Sequence, residues 1–237
     1  MAKSGKSYQE AVKLLDRAAT YSPQEAIELA KKTARARFDE TVELHLRMGV
    51  DPRNVSQQVR GVALLPHGLG KKIRVLVFAQ GEAQRIAQDA GADFVGGDEL
   101  INKIEAGWLE FDTVIATPDM MGKVGKLGKI LGRRGLMPNP KSGTTATATD
   151  LARVIEDASK GRVEFRLDRG GIIHVALGKV TFESERLIAN LVAVVEAVMR
   201  AKPATAKGQY VRSAFLTTTM GPGIRLELKT TLSLTSA

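Results

Sequence analysis

Two different strand patterns occur along this sequence, and together they restrict the fold more than any other feature. Within residues 39–48, apolar and polar side chains alternate strictly from Thr41 onward, with Val42 and Leu44 opening the apolar face. A period of two is typical of a strand with one buried side and one solvent-facing side. Residues 73–79 instead form a nearly continuous apolar run, which is typical of a strand that is covered on both faces.

The middle of the sequence alternates short apolar strands with helical segments, and this pattern predicts parallel βαβ units. The predicted strands cover residues 73–79, 93–95 and 113–116, and the predicted helices cover residues 82–90, 98–106 and 150–159. Residues 122–135 are rich in glycine, and the sequence predicts a loop there with a short helix near 126–131.

Both ends of the sequence combine antiparallel strand signals with amphipathic helices. Ser22, Pro23 and Glu25 form a capping-box start for a helix that runs to residue 34. An apolar stripe at helical spacing predicts a second helix over 184–201. The other predicted strands cover residues 59–65, 210–220 and 224–228, and a hairpin is predicted over 163–177 with its turn at 168–171.

These patterns predict an α+β discontinuous domain (antiparallel sheet with helices) with an inserted α/β Rossmann-like parallel-sheet domain. We expect the first domain to comprise residues 1–67 and 160–229, and the second to comprise residues 68–159. Residues 230–237 are expected to form a disordered tail. Glycines near 68–70 and 159–161 are expected to act as paired hinges on which the inserted domain opens and closes.

The net charge of +9 is concentrated at the two ends of the chain. Residues 1–67 carry a net charge of +3 and residues 160–237 carry +6, whereas residues 68–159 balance to zero. Within that neutral middle, residues 122–141 contain six basic side chains and no acidic one. A basic stripe on one face is typical of phosphate-binding surfaces, although charge runs also occur on ordinary solvated surfaces.

No motif in the sequence supports an active site, a metal site or a cofactor site. The chain has no cysteine, and its three histidines do not have metal-ligand spacing. A Walker loop ending at 72 would need glycine and a hydroxyl residue where Leu65 and Lys72 stand. Four aspartates lie near predicted strand ends of the middle domain, and we interpret them as helix caps and turn residues: Asp93, Asp98, Asp112 and Asp119. No membrane segment is expected either, because no run of 18 apolar residues occurs.

Two polar stretches suit an RNA surface better than a catalytic site. One is the 35–38 segment that leads into the alternating strand, and the other is the hydroxyl-rich 213–221 segment. Hydroxyl groups can bond 2′-hydroxyls and phosphates, and arginine pairs with phosphate. The chain has few aromatic residues, so recognition of RNA backbone and shape is favoured over stacking on single strands.

These same stretches closely resemble the bacterial large-ribosomal-subunit protein L-one family, the stalk proteins of the ribosome. The resemblance covers nearly the whole chain up to residue 228. It is carried by several long stretches in the right order: residues 36–43, 59–61, 65–71, 91–93, 116–121, 126–144 and 217–222.

The resemblance implies a cytoplasmic, non-enzymatic protein, monomeric within the ribosome, that has no cofactor. It implies binding to large-subunit (23S) ribosomal RNA in a mobile stalk, assistance to the release of exit-site tRNA, and repression of translation by binding its own mRNA. The positions matched to RNA contacts are Arg37, Phe38, Thr41, Ser213, Thr217, Thr219, Met220 and Gly221, with Arg166 and Asp168 as further candidates.

The basic segment of the middle domain is a candidate second contact with tRNA or RNA, through Lys123, Lys126, Lys129, Arg133 and Arg134. Arg133 stands where the family usually has proline, which adds charge and removes a restraint on φ. Two alternative functions remain open from the sequence: a small-molecule enzyme that uses the parallel sheet, and a nonspecific nucleic-acid coat protein. The neutral middle of the chain argues against the coat protein.

Overall fold

The computed structural model describes residues 5–234, except for the side chain at position 141, and it divides into two compact units. Unit 1 consists of the chain up to Gly70 and from Val163 onward, and unit 2 runs from Lys71 to Arg162. The boundaries therefore fall at 70/71 and 162/163, where the sequence patterns predict 67/68 and 159/160. Gly70 and Gly161 both have positive φ, a conformation that favours residues without a Cβ.

The secondary structure mixes helices and short strands along the whole chain. The helices are α1 (Lys6–Lys13), α2 (Pro23–Thr33), α3 (Glu82–Asp89), α4 (Asp98–Glu105), α5 (Met121–Val124), α6 (Gly128–Arg134), α7 (Leu151–Gly161), α8 (Ser184–Arg200) and α9 (Leu228–Ser233). The strands are β1 (Thr41–Met48), β2 (Arg60–Leu64), β3 (Val75–Phe78), β4 (Phe94–Gly96), β5 (Thr113–Ala116), β6 (Arg162–Arg166), β7 (Ile172–Lys179), β8 (Val211–Thr218) and β9 (Ile224–Arg225).

Unit 1 is built on a four-stranded antiparallel sheet of order β7-β1-β8-β9. The alternation in β1 is confirmed, since Val42, Leu44, Leu46 and Met48 are all buried. Helices α2 and α8 pack on that buried face, and α2 begins with the predicted Ser22–Glu25 capping box. One face of the sheet is thus covered by the core, and the other carries polar side chains.

Unit 2 contains a three-stranded parallel sheet of order β4-β3-β5, as the βαβ pattern predicts. All four residues of β3 are buried, because apolar clusters cover the sheet on both sides. The glycine-rich segment, by contrast, is not a loop around one short helix. From Pro118 to Arg134 it forms consecutive helical turns that include α5 and α6 and end at Gly135, which has φ +71°. Buried Val124, Leu127 and Leu131 hold these turns against the sheet.

The predicted hairpin over residues 163–177 is wrong in its pairing. The turn at 168–171 exists, but β6 pairs with β2 in a separate two-stranded sheet, and β7 pairs with β1. Only the Leu167–Ile173 bridge joins the two arms of the expected hairpin. A Cβ placed on Gly61 of β2 would lie 2.6 Å from Cζ of Phe165 on β6. The missing side chain at Gly61 therefore lets the Phe165 ring pack closely against β2.

The expectation of a disordered tail from residue 230 is also wrong for its first part. Residues 230–233 belong to α9, which replaces the end of the predicted 224–228 strand. Thr231 is buried and its hydroxyl donates to the Glu227 carbonyl at 2.6 Å. Leu228, Leu232 and Leu234 pack against the core of unit 1, and this apolar burial orders the segment. Residues 235–237 lie outside the described residues.

The buried stripe of α8 includes a polar residue, Asn190, that helical periodicity does not predict. Its amide donates to the carbonyls of Gly68 (3.0 Å) and Leu177 (2.7 Å), and its oxygen accepts from the His67 N–H (3.1 Å). A fully buried amide needs such partners, because an unsatisfied one carries a desolvation cost. Asn190 therefore anchors the chain at 67–68 before it leaves unit 1.

Candidate nucleic-acid interface

The polar face of the four-stranded sheet carries three of the ten residues predicted to bind RNA, Thr41, Ser213 and Thr217. The antiparallel register places Glu43 opposite Thr217, His45 opposite Phe215, and Arg47 opposite Ser213. Because helices cover the other face of this sheet, these side chains form a continuous surface on β1 and β8.

A buried carboxylate, Glu40, joins two loops at one end of this face. Its Oε1 accepts hydrogen bonds from the backbone N–H groups of Arg35 and Ala36, both at 2.8 Å, and its Oε2 accepts from that of Met220 at 2.9 Å. The residue is only 2% exposed. Burial by itself raises the pKa of Glu40, but the hydrogen bonds from Ala36 and Met220 outweigh it, and the pKa lies below its usual value. An ionised Glu40 therefore holds the 35–38 segment against the turn at Met220.

Two further bonds link the same segments. The Arg35 guanidinium donates to the Met220 carbonyl at 3.3 Å, and the Thr41 N–H donates to the Thr219 hydroxyl at 2.9 Å. The Thr219 side chain is predicted to contact RNA, but its hydroxyl oxygen already accepts one hydrogen bond that holds the turn to β1. The turn at 219–220 is fastened from both sides and is preorganised for a partner.

Two large apolar side chains are exposed on the loops that Glu40 joins. Phe38 is 56% exposed and Met220 is 53% exposed. A lone phenylalanine beside a strand usually belongs to a core, but here the ring faces outward. Single exposed apolar residues are common on protein surfaces, whereas here two of them lie on loops that are held by one carboxylate, an arrangement suited to an interaction site.

Gly221 is packed too tightly for any other residue without a local shift. A Cβ placed on it would lie 2.3 Å from the Thr218 hydroxyl oxygen, and Thr218 is itself buried. Glycine at this position therefore lets the turn pack closely on Thr218.

A row of polar groups crosses the sheet from β7 to β8. The Nδ1 atoms of His45 and His174 lie 2.7 Å apart, so one of the two nitrogens must be unprotonated. His45 Nε2 lies 3.1 Å from the Thr217 hydroxyl, and His174 Nε2 lies 3.4 Å from Asp168 Oδ2. Burial lowers the pKa of His45, the charge of His174 lowers it further, and Glu43 only partly opposes them. His45 is therefore neutral at pH 7, and it offers hydrogen bonds rather than charge.

Comparison with known proteins shows the family of the chain. The model of the Ribosomal protein L1p/L10e family matches residues 30–222, a span that includes β1, unit 2 and the turn at Met220. The chain belongs to this family. It is 66% identical over 229 residues to the protein called Large ribosomal subunit protein uL1 of Dehalococcoides mccartyi strain BAV1, and 65% identical to that of strain 195. Each alignment covers 97% of both chains.

The family's predicted contact residues do not form one compact cluster in this member. Ser213 and Thr219 are six residues apart on or beside β8, about 20 Å at the rise of an extended strand. Asp168 reaches the sheet face through His174, whereas Arg166 lies on β6 in the separate two-stranded sheet. Only one group gathers at one place, and we call it the binding edge: Arg37, Phe38, Thr41, Thr219, Met220 and Gly221.

The basic segment of unit 2 is exposed along its helical turns. All five predicted cations on α5, α6 and the turn between them are exposed: Lys123, Lys126, Lys129, Arg133 and Arg134. The Lys123 ammonium is bonded to both oxygens of Asp98 at 2.8 Å. Within residues 5–234, no ion pair neutralises the other four. They form a surface that is suited to a polyanion.

The four aspartates predicted near strand ends of unit 2 lie at opposite edges of its sheet. Asp93 and Asp112 precede β4 and β5, at the amino ends of the strands, whereas Asp98 and Asp119 follow them. Asp93 accepts from the Val75 N–H at 2.9 Å, and Asp112 pairs with Lys71 and Arg74. Burial raises the pKa of Asp112, but its bonds to Lys71 and Arg74 lower it overall. Asp93 and Asp112 thus stabilise the unit, and the four carboxylates do not converge on one site. The family is one of ribosomal proteins rather than enzymes.

The structure offers no metal or membrane feature in its described part. Among residues 5–234, no group of three or more His, Asp or Glu side chains could hold a metal ion. No helix in the same range is long and apolar enough to cross a bilayer.

Proposed function

We propose that this protein is a component of the large ribosomal subunit and binds a folded segment of its ribosomal RNA through the binding edge. The observation that carries the proposal is the Glu40 arrangement, because a buried carboxylate is used to fix two loops whose outward side chains, Phe38 and Met220, have no role in the core. The relatives are named as large-subunit proteins, which agrees with this assignment. The protein is then located on the ribosome, in the cytoplasm.

The chemistry of the binding edge and of the adjoining sheet face fits the backbone and shape of a folded RNA. Arg37 on the edge is exposed and suited to a phosphate, and the hydroxyl of Thr217, which lies on the adjoining sheet face, is suited to a 2′-hydroxyl. The two exposed apolar side chains, Phe38 and Met220, pack against sugar or an unpaired base, and Gly221 keeps their turn close to Thr218. Unit 1 also contains most of the chain's net charge of +9, since residues 1–70 carry +3 and residues 163–237 carry +4.

A filter-binding titration tests the proposal with the stalk region of the ribosomal RNA and a scrambled RNA of equal length. We expect strong preference for the stalk RNA. If about six phosphates are neutralised in a duplex-like site, the logarithm of the binding constant should fall with the logarithm of the salt concentration with a slope of about −5. Equal affinity for the two RNAs at every salt concentration would contradict specific recognition.

We also propose that the binding edge binds the protein's own mRNA and thereby represses its translation. Recognition of backbone and shape allows any RNA with the same fold to occupy the same edge. In the filter-binding titration, we expect the untranslated leader of its own mRNA to displace the stalk RNA when it is added as a competitor. Each protein monomer should bind one of the two RNAs at a time.

The basic segment of unit 2 is our proposed contact with exit-site tRNA, whose release the protein would assist. Neutralising its four unpaired cations (Lys126→Gln, Lys129→Gln, Arg133→Gln and Arg134→Gln) should slow release of deacylated tRNA about threefold or more, because exposed charges mainly set how fast the tRNA associates with the surface that would draw it away. The measurement uses fluorescent tRNA on ribosomes reconstituted with each variant.

The matched control neutralises four other exposed cations of unit 2: Lys72, Arg85, Lys103 and Arg153. Because the control has the same charge change, it should release tRNA at the wild-type rate. Identical release by both variants would show that the basic segment is only a solvated surface.

A further inference from the structure

A small cavity lies beside the binding edge, between the segment that follows α1 and the strand β9. Its volume is about 280 Å³, close to the lower end of the range for small-molecule sites. Three aromatic side chains and two arginines line it: Tyr8, Tyr21, Phe215, Arg17 and Arg225. A cavity of this size and lining suits a single flat group, not a long ligand.

The cavity adjoins the binding edge, because one turn of the chain contributes residues to both. Pro222 and Gly223 belong to the same turn as Met220 and Gly221, and both line the cavity. Phe215 stands on β8, where it pairs with Arg225 of β9, and it remains 36% exposed. An RNA strand lying on the edge therefore reaches the mouth of the cavity directly.

The walls of the cavity are held in place by backbone and ring contacts. Tyr21 donates its N–H to the Arg225 carbonyl at 2.9 Å, and its hydroxyl oxygen accepts from the Asp16 N–H at 3.0 Å. The Arg35 guanidinium, which bonds to Met220, lies 5.4 Å from the centre of the Tyr8 ring. One wall is thus connected to the turn of the binding edge, and the site is preorganised.

The charge of the cavity favours a nucleic-acid occupant. In the described part of the chain, neither Arg17 nor Arg225 has an ion pair, and both are exposed. The only acidic lining residue is Asp16, and its Oδ1 already accepts from the Ala18 N–H at 2.9 Å. Aromatic faces stack on any base, and arginines pair with the phosphates on either side of it.

We infer that this cavity takes one unstacked nucleobase of the RNA that lies on the binding edge, and we call it the base pocket. Arg17 and Arg225 hold the flanking phosphates, and the aromatic side chains contact the base. The inference rests on the proposed function, since it needs the same RNA on the neighbouring edge.

Photo-crosslinking tests the occupant of the base pocket directly. The full chain is bound to stalk ribosomal RNA in which uridines are replaced by 5-iodouridine, and to a second preparation with 5-iodocytidine. After irradiation, mass spectrometry is expected to find adducts on peptides that contain Tyr8 or Tyr21. Adducts confined to Phe38 and the turn at Met220 would overturn the inference.

A charge-matched pair of variants gives an independent measurement that does not depend on which base is bound. Arg17→Gln with Arg225→Gln should reduce the magnitude of the salt slope by about two and weaken stalk RNA binding about tenfold at moderate salt. The control, Lys13→Gln with Lys229→Gln, removes the same charge from exposed positions in α1 and α9 outside the pocket. It should bind within about twofold of wild type.

The two proposals fail in different ways. If the wild-type chain does not prefer the stalk RNA, the proposed function is wrong. If the wild-type chain prefers it and both double variants have the same affinity and slope, only the base pocket is wrong. Circular dichroism melts of both variants separate these outcomes from unfolding.

Discussion

Replacing Met220 by aspartate is expected to weaken binding to the stalk RNA about a hundredfold or more while unit 1 stays folded. The side chain is half exposed, so the core loses little when it changes. On the binding edge, however, a carboxylate would lie among phosphates, and like charges at an interface cost several kcal/mol. The filter-binding titration at moderate salt measures the loss.

The matched control is Met199→Asp, the same chemical change at an exposed methionine of α8. Helix α8 packs on the buried face of the sheet, away from the polar face, so this variant should bind within about twofold of wild type. Wild-type affinity in the Met220 variant, with both chains folded, would remove this turn from the interface.

The second large effect is expected from Glu40→Gln. The carboxylate accepts three backbone N–H groups with its two oxygens. An amide offers one oxygen and one NH₂ group, so in either orientation a backbone donor faces another donor. We expect the free energy of unfolding to fall by about 2 to 3 kcal/mol, the range for losing bonds to a buried charged group. RNA affinity should fall too, because the 35–38 segment and the turn at Met220 lose their common anchor.

The pH dependence of stability shows whether the charge of Glu40 is the cause of the lower stability of the Glu40→Gln variant. The pKa of Glu40 is lowered in the folded protein, so its contribution to stability is complete above the usual pKa of a glutamate and is lost as the pH falls through the lower folded value. Urea unfolding of the wild type and the variant should therefore differ most near neutral pH and converge in acid. Glu28→Gln, an exposed change in α2, is the control and should shift stability by less than about 0.5 kcal/mol. A constant difference at every pH would mean that the charge of Glu40 is not what stabilises the turn.

Local features of the sequence predicted much of this structure. The alternation in β1, the capping box of α2 and the stripe of α8 depend on contacts within one turn or one strand, so short windows contain the necessary information. The buried position of Glu40 could also have been predicted from the sequence. It has the same parity as Val42 and Leu44, so the alternation places its charge on the buried side of the sheet, where a carboxylate needs partners.

Features that depend on distant partners were predicted less well. The arms of the expected 163–177 hairpin are close in sequence, yet each pairs with a strand more than one hundred residues away, β6 with β2 and β7 with β1. Helix α9 forms because Leu228 and Leu232 pack against the apolar core of unit 1. The residues around α9 in sequence do not reveal that this core surface lies beside it. The glycine-rich segment is helical for a similar reason, since Val124 and Leu131 are buried against the sheet of unit 2.

The sequence by itself determined the antiparallel ends, the parallel middle, the uneven charge and, through its long matching stretches, the family. Those properties depend on side-chain period, composition and residue order, all of which are local or additive. Only the tertiary structure decided that Glu40 fastens Arg35 and Ala36 to Met220, and that Tyr8, Phe215 and Arg225 meet around one cavity. These groups come from opposite ends of the chain, and no local pattern specifies a contact between them, because it forms only when the sheet and its helices pack together.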